Sequence, residues 1–113
     1  MQMRVDDIGH DVTKASLDGK LDIAGAGAID LAFNVLVGQK RAIVVDLSAV
    51  TFIASMGLRT LIMGAKTVAS KGGRMVLLSP SADVEKVLED SGVTALLAIH
   101  HSQDAAIAAV TPR

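Results

Sequence analysis

The chain has 113 residues, 12 acidic and 11 basic side chains, and a formal net charge of −1. With no basic cluster, no Trp or Tyr and only two Phe, it lacks the charge and the stacking platforms of a nucleic-acid-binding protein. The absence of cysteine excludes a disulfide or a thiolate metal site, and no apolar run reaches the ~18 residues of a membrane span. We therefore expect one cytoplasmic α/β domain over residues 1–113, without membrane insertion or cofactor.

The N-terminal residues predict antiparallel strands. Apolar residues alternate with polar ones over residues 3–17, which indicates two short strands joined by a turn at Gly9-His10-Asp11. Asp18-Gly19 predicts a tight hairpin turn, because this pair readily adopts positive φ angles. We expect the returning strand at residues 20–23.

A first helix is predicted after two glycines. Gly25 and Gly27 are expected to loosen the chain before it begins, and Gly38 is expected to end it. Its apolar residues recur at helical spacing: Ile29, Ala32, Phe33, Leu36 and Val37.

The central part of the chain predicts a buried strand followed by a second helix. The strand covers residues 42–47, which are almost continuously apolar, and a loop is expected at residues 48–54. The helix is expected to end near residues 70–73. Its apolar stripe consists of Leu58, Leu61, Ile62, Ala65, Val68 and Ala69.

The C-terminal part predicts two more strands and two more helices. A strand is expected at residues 74–78, and a helix starting within residues 79–81, with a proline in its first turn, should end at Gly92. A last strand is expected at residues 95–99 and a last helix at residues 103–110. Helices that alternate with buried strands indicate a mixed sheet, parallel except for the N-terminal hairpin, with about four helices packed mainly on one side.

Ser55, at the predicted start of the second helix, has two compatible roles. Its side chain could cap the helix by accepting a hydrogen bond from one of the first backbone N–H groups. Alternatively, the partial positive charge of the helix N-terminus could stabilise an anion at the serine oxygen.

Enzymatic chemistry is weakly indicated. A nucleophile elbow needs glycine two residues before and two residues after the serine. Around Ser55 the first of these positions is Ile53, and only the second, Gly57, is glycine. The pair His100-His101 could supply a base or bind a metal, but no third metal ligand is evident, and a solvated strand end is the favoured interpretation. Met56 is either buried or an exposed contact beside Arg59.

Residues 43–58 resemble the signature of the STAS domain family, which includes the bacterial anti-sigma factor antagonists. The family pattern is a buried strand ending in Asp-Leu or Asn-Leu, an apolar pair, and Asp-Ser-Ser/Thr-Gly-Leu opening a helix. Three other segments are similar to family segments: Gly19-Lys20-Leu21-Asp22, Lys71-Gly72-Gly73-Arg74-Met75-Val76-Leu77 and Leu88-Glu89-Asp90-Ser91-Gly92-Val93. The resemblance implies a single STAS domain.

The resemblance also implies a function. In the antagonists, the serine at the position of Ser55 is phosphorylated by a partner that is both anti-sigma factor and serine kinase, and phosphorylation releases the antagonist. Ala54 stands where the family has aspartate, and Met56 where it has Ser or Thr. The implied partner-binding residues are Asp22, Ala54, Ser55, Met56, Gly57 and Arg59.

Two other functions remain open. Small standalone STAS proteins also attach to lipid-transport ABC complexes, and a STAS module could bind its partner without phosphorylation. An enzyme is the least favoured class. No metal or cofactor is expected in any of these cases.

Overall fold

A computed structural model describes residues 1–9 and 11–111 of the chain. The elements form one five-stranded sheet with the order β1-β2-β3-β4-β5 and four α-helices. Their bounds are β1 Gln2–Asp7, β2 Thr13–Leu21, α1 Ile23–Gln39, β3 Ala42–Ile53, α2 Ser55–Ser70, β4 Arg74–Leu78, α3 Ala82–Asp90, β5 Ile99–His100 and α4 Gln103–Val110, with a short 3-10 turn at Val93–Ala95.

The sheet is mixed, as the sequence predicts. β1 pairs antiparallel with β2, whereas β2, β3, β4 and β5 pair parallel in that order. The middle of β3 is fully buried, with Ile43, Val44 and Val45 at 0% exposure, because helices cover both faces of the sheet there.

The helices lie mainly on one side, which confirms the predicted architecture. One apolar core joins the sheet to α1, α2 and α3, and it includes Phe33, Leu61 and Leu88. A smaller core on the opposite face contains Ala106 and Val110 of α4. Helix α4 therefore covers one part of the second face.

The hairpin predicted at Asp18-Gly19 is wrong. Both residues lie inside β2, and the hairpin is instead formed by β1 and β2. The positive φ of Gly19, 118°, lies where the β2–β3 pairing shifts register, so the conformational freedom of glycine serves an irregularity within the strand. Of the turn predicted at Gly9-His10-Asp11, His10 lies outside the described residues.

The strand predicted at residues 20–23 and the predicted start of the first helix are also wrong. Lys20 and Leu21 end β2, and α1 begins at Ile23, so both Gly25 and Gly27 are helical. Gly25 is required there, because a Cβ atom would collide with the carbonyl oxygen of Lys20. At the other end, α1 includes Gly38 and stops one residue later.

The predicted loop at residues 48–54 is mostly strand. β3 continues to Ile53, because its C-terminal half pairs with the end of β2: Ala49 with Asp18, Phe52 with Lys20, and Ile53 with Leu21. Turn-forming polar residues in this segment are compatible with a strand whose outer face is exposed. The extension carries the start of α2 beyond the end of β4, to a position beside the end of β2.

The C-terminal elements agree more closely. β4 and α4 have the predicted bounds, and Gly92, with φ of 82°, follows the end of α3 as expected. Ser81 caps α3 and Pro80 precedes it, so the proline lies outside the first turn. The strand predicted at residues 95–99 is wrong, because a 3-10 turn occupies its beginning and β5 is confined to Ile99–His100.

Candidate functional site

The candidate site is assembled where β2 and β3 end side by side. Leu21 and Ile53 are paired in the parallel register, and the N–H of Ala54 donates to the carbonyl of Leu21 at 3.1 Å. α1 and α2 begin within two residues of this pair. The geometry thus brings the predicted residues Asp22 and Ser55 together at the C-terminal ends of β2 and β3.

Asp22 is the N-cap of α1. Its Oδ1 accepts a hydrogen bond from the N–H of Gly25 at 2.8 Å, and its carbonyl accepts one from the N–H of Ala26 at 2.8 Å. A carboxylate at this position complements the positive end of the helix. Its first role is therefore to fix the start of α1 at the edge of the site.

Ser55 does not cap α2, in contrast to one of its two predicted roles. The N-cap is Ala54, with the extended φ and ψ typical of that position, −128° and −178°, and no side chain bonds to the free N–H groups. Ser55 is the first residue inside the helix. The other three α-helices of the described residues all have side-chain caps, namely Asp22, Ser81 and Ser102.

The uncapped N-terminus of α2 is suited to an anion. The first helical hydrogen bond runs from the N–H of Leu58 to the carbonyl of Ala54 at 3.0 Å, so the N–H groups of residues 55–57 precede the helical pattern. The first turn also contains no acidic residue. Because Ser55 is exposed, a negatively charged group on its hydroxyl would lie beside the positive end of the helix.

Gly57 lets α2 approach the ends of the strands. A Cβ atom at this position would collide with the carbonyl oxygen of Leu21, lie 2.6 Å from its Cγ, and lie 3.1 Å from Cγ1 of Ile53. The residue is buried, unlike its neighbours Ser55 and Met56. Its role is to position the site, and it offers a partner little contact surface.

Large apolar side chains are exposed around Ser55. Met56 is 42% exposed, which decides between the two predicted environments for this residue, and Phe52 is 50% exposed. Ile23, the first residue of α1, is 74% exposed. Arg59 is also exposed, and no carboxylate of the described residues forms an ion pair with it.

Two of these exposed residues, Phe52 and Ile23, are not among the site residues that the sequence predicts. The sequence predicts Phe52 in a loop and Ile23 in a strand. Both are apolar residues next to element boundaries, which are uncertain when read from sequence. Phe52 lies on the terminal part of β3, which still pairs with β2 but extends beyond the end of β4.

The alternatives based on histidine are not supported by the fold. His100 belongs to β5, which β4 separates from β3, and Nε2 of His101 lies 3.2 Å from Oε1 of Glu85 on α3. Within residues 1–9 and 11–111 there is no group of three His, Cys, Asp or Glu side chains arranged to hold a metal ion. None of the helices in this part of the chain could span a membrane.

Two clefts among the described residues lie away from Ser55. One of about 430 Å³ is formed by Arg41, the Gly72-Gly73 turn, Arg74 and the end of α4, at the N-terminal ends of β3 and β4, whereas Ser55 follows the C-terminal end of β3. Another, of about 250 Å³, lies over β1, β2 and β3. The surface around Ser55 presents projecting side chains, as a protein contact does, and differs from a concave small-molecule pocket.

Comparisons with known proteins agree on the family. The model described as "STAS domain" matches residues 5–106. The curated Bordetella bronchiseptica protein named "Putative anti-sigma factor antagonist BtrV" is 34% identical over 97 residues, which cover 84% of this chain and 83% of that protein.

Solved structures show the same fold. An anti-sigma factor antagonist from Mycobacterium paratuberculosis superposes with a TM-score of 0.87 at 24% identity, covering 98% of this chain and 94% of the other. The phosphorylated form of the Bacillus protein SpoIIAA superposes with a TM-score of 0.71 at 20% identity, covering 96% and 98%. At these identities the superpositions establish the architecture.

Proposed function

The chain belongs to the STAS domain family, and from this premise we propose that it is an anti-sigma factor antagonist whose partner is both anti-sigma factor and serine kinase. The unmodified chain binds this partner through the surface around Ser55 and so frees the sigma factor. Phosphorylation of Ser55 ends the binding. The name of the Bordetella relative supports the antagonist role.

One observation carries the proposal: Ser55 is exposed at the uncapped N-terminus of α2, among exposed apolar side chains. A serine there is accessible to a kinase. Met56, the next residue along the chain, and Phe52, three residues before Ser55, supply adaptable and aromatic contact area. The backbone that carries them is held by the bond from Ala54 to Leu21 and by the close packing of Gly57.

The modification is a phosphoryl transfer. The hydroxyl oxygen of Ser55 attacks the γ-phosphorus of an ATP bound to the partner, the bond between that phosphorus and the β,γ-bridging oxygen breaks, and ADP leaves. The hydroxyl proton passes to a base on the partner or to solvent. The chain contributes a positioned nucleophile, and the kinase contributes the charge stabilisation that this reaction requires.

The product is tolerated by the domain but not by the interface. A phosphate adds about −1.5 to −2 charges at neutral pH, and at the start of α2 these charges interact favourably with the free N–H groups. Because Ala54 supplies no competing side-chain cap, those donors remain available. A partner surface built for a neutral serine beside Met56 must instead desolvate a dianion, which weakens the complex.

The test is phosphorylation by the anti-sigma factor kinase encoded nearest to this chain's gene. Wild type, Ser55→Ala and Ser48→Ala are incubated with the kinase and ATP, and intact masses are measured. We expect one added phosphoryl group on wild type and on Ser48→Ala, whose changed residue is an exposed serine of β3, and none on Ser55→Ala.

Two outcomes would revise the proposal. Equal phosphorylation of wild type and Ser55→Ala would move the modification to another hydroxyl. A stable complex without phosphorylation of any variant would indicate a binding module that is not regulated in this way.

A further inference from the structure

We propose that the chain forms a two-fold symmetric dimer with a second copy of itself, in which β1 pairs antiparallel with β1 of the other copy and α1 packs against α1. Two features that the proposed function does not use point to this arrangement. The first is the open outer edge of β1, and the second is the exposed apolar face of α1.

β1 is the edge of the sheet, and within the described residues it pairs with β2 alone. Its six residues pair without a register shift and include no proline, so the edge is straight and its outward backbone groups are available. The opposite edge, β5, is only two residues long. β1 is therefore the longer edge on which another strand could extend the sheet.

The charges of β1 select one register for self-pairing. Nε of Arg4 donates to Oδ2 of Asp6 at 3.1 Å. Because side chains alternate along a strand and Met3 packs against the core that includes α1, Arg4 and Asp6 lie on the opposite face of the sheet. The same alternation puts Val5 on the face of Met3.

A two-fold axis at Val5 places Arg4 of each copy opposite Asp6 of the other, and Val5 opposite Val5. Moving the pairing by two residues in one direction puts Arg4 opposite Arg4, and moving it by two in the other puts Asp6 opposite Asp6. A shift by one residue puts the helices of the two copies on opposite faces. Only the register centred on Val5 pairs opposite charges and keeps one continuous helix layer.

Helix α1 has an apolar stripe on its exposed side, next to a polar pair in which Asn34 donates to Asp30. Its only charged residue is Asp30, whereas Leu31 is 78% exposed and Val35 is 48% exposed. Exposed apolar side chains grouped on one face are typical of a contact surface. The small residues Ala28 and Ala32 lie beside these two side chains and would allow a second helix to approach closely.

The apolar stripe faces the β1 edge. Phe33 and Val37 of α1 lie next to Gly64, where they would meet an added Cβ atom at 2.6 and 3.3 Å, so they face α2. Val35 is two positions from each of them, which turns it about 160° away around the helix. The stripe of Ala28, Leu31 and Val35 therefore points away from α2, over the open side of β1.

The sheet and helix contacts are compatible with one another. α1 packs on both β1 and β2, so its axis lies above the space between these two strands. A two-fold axis that pairs β1 with β1 lies half a strand spacing outside β1. The helix axis is therefore about one strand spacing, 4.8 Å, from the two-fold axis. Two such helices would then be about 10 Å apart, which is within the usual range for packed helices. A single two-fold rotation thus pairs the two β1 strands and buries the apolar stripes of the two α1 helices.

The dimer leaves the proposed partner site free. Because the two β1 strands run antiparallel, the strand ends that carry Ser55 in the two copies point in opposite directions. Each copy could therefore bind its own partner.

The first test is the mass of the purified chain in solution, measured by light scattering after size exclusion over a series from micromolar to several hundred micromolar. We expect a concentration-dependent dimer. Leu31→Glu should give a monomer, because it places a charge in the helix contact. Leu96→Glu is the matched control: Leu96 is also an exposed leucine, at 59%, but it lies near β5, so its variant should remain dimeric.

Charge exchange tests the register. Arg4→Asp and Asp6→Arg should each be monomeric, because like charges would face each other across the two-fold axis. Their mixture should form a heterodimer in which opposite charges are restored. Thermal midpoints of the separate variants establish that each one is folded.

Three results would overturn the proposal. Wild type could be monomeric over the whole series, the dimer could survive Leu31→Glu, or the mixture of the two charge variants could stay monomeric while each is folded. A mixture of Arg4→Asp and Asp6→Arg that stays monomeric would exclude pairing of β1 in this register, even where wild type is a dimer.

Discussion

The backbone N–H of Ala54 donates to the carbonyl of Leu21 at 3.1 Å, and this bond joins the residues that precede α2 and α1. Because the two helices start beside it, the positions of Asp22 and Ser55 depend on the same pair of strand ends. Substitutions that disturb this junction should alter stability, whereas substitutions of the side chains projecting from it should alter binding.

Gly57→Val tests the packing of the junction. We expect a loss of at least about 1–3 kcal/mol in the free energy of unfolding, because the side chain would collide with Leu21 and Ile53. Gly27→Ala is the matched control, since Gly27 is also helical but has open space around it; there the change should stabilise by about 0.5–1 kcal/mol. Chemical denaturation measures both, and an unchanged midpoint for Gly57→Val would contradict the packing described for this residue.

Ala54→Asp tests the missing cap of α2. The backbone at Ala54 already has the N-cap conformation, so an added carboxylate should stabilise the chain by about 0.5–2 kcal/mol. The opposite change, Asp22→Ala, removes the existing cap of α1 and should destabilise by a similar amount. Thermal unfolding of the two variants beside wild type is the measurement. If Ala54→Asp were neutral or destabilising, the free N–H groups of α2 would not be available to an anion.

Met56→Ala and Phe52→Ala test the contact surface. Both side chains are exposed, so truncation should leave the thermal midpoint nearly unchanged, while a residue at the centre of an interface loses about 1–3 kcal/mol of binding free energy. Leu96→Ala, at an equally exposed leucine near the other edge of the sheet, should bind as wild type does. Calorimetric titration with the partner measures the binding free energy of each of the three variants. Equal affinities for all three variants would place the interface elsewhere.

The sequence predicted the architecture because buried strands and amphipathic helices leave strong periodic patterns. The secondary-structure prediction is wrong where the local preference of a segment conflicts with its pairing to a distant strand. Asp18-Gly19 has the composition of a hairpin turn, but the pairing of β2 with β3 keeps it in a strand, and the positive φ of Gly19 is absorbed at a shift in register. Gly25 weakens a helix in isolation, yet α1 needs a residue without a side chain beside Lys20.

The location of the site was predictable, but its detailed geometry was not. Ser55, Met56 and Asp22 were singled out from the strand-to-helix change and the family resemblance. That Ala54 occupies the N-cap position depends on one residue of helix phase, which periodicity does not fix. The exposure of Phe52 depends on how far β3 extends along β2 and past the end of β4, which depends on strand pairing between residues distant in sequence.

The affinity of the partner kinase for the chain with and without charge at Ser55 tests the proposed switch most directly. Wild type, Ser55→Ala and Ser55→Asp would be titrated into the partner in the absence of ATP, after thermal unfolding has established that all three are folded. We predict similar affinities for wild type and Ser55→Ala, and binding of Ser55→Asp weaker by at least about tenfold, or about 1.4 kcal/mol. Equal affinity of Ser55→Asp and wild type would contradict a switch based on charge at this helix N-terminus.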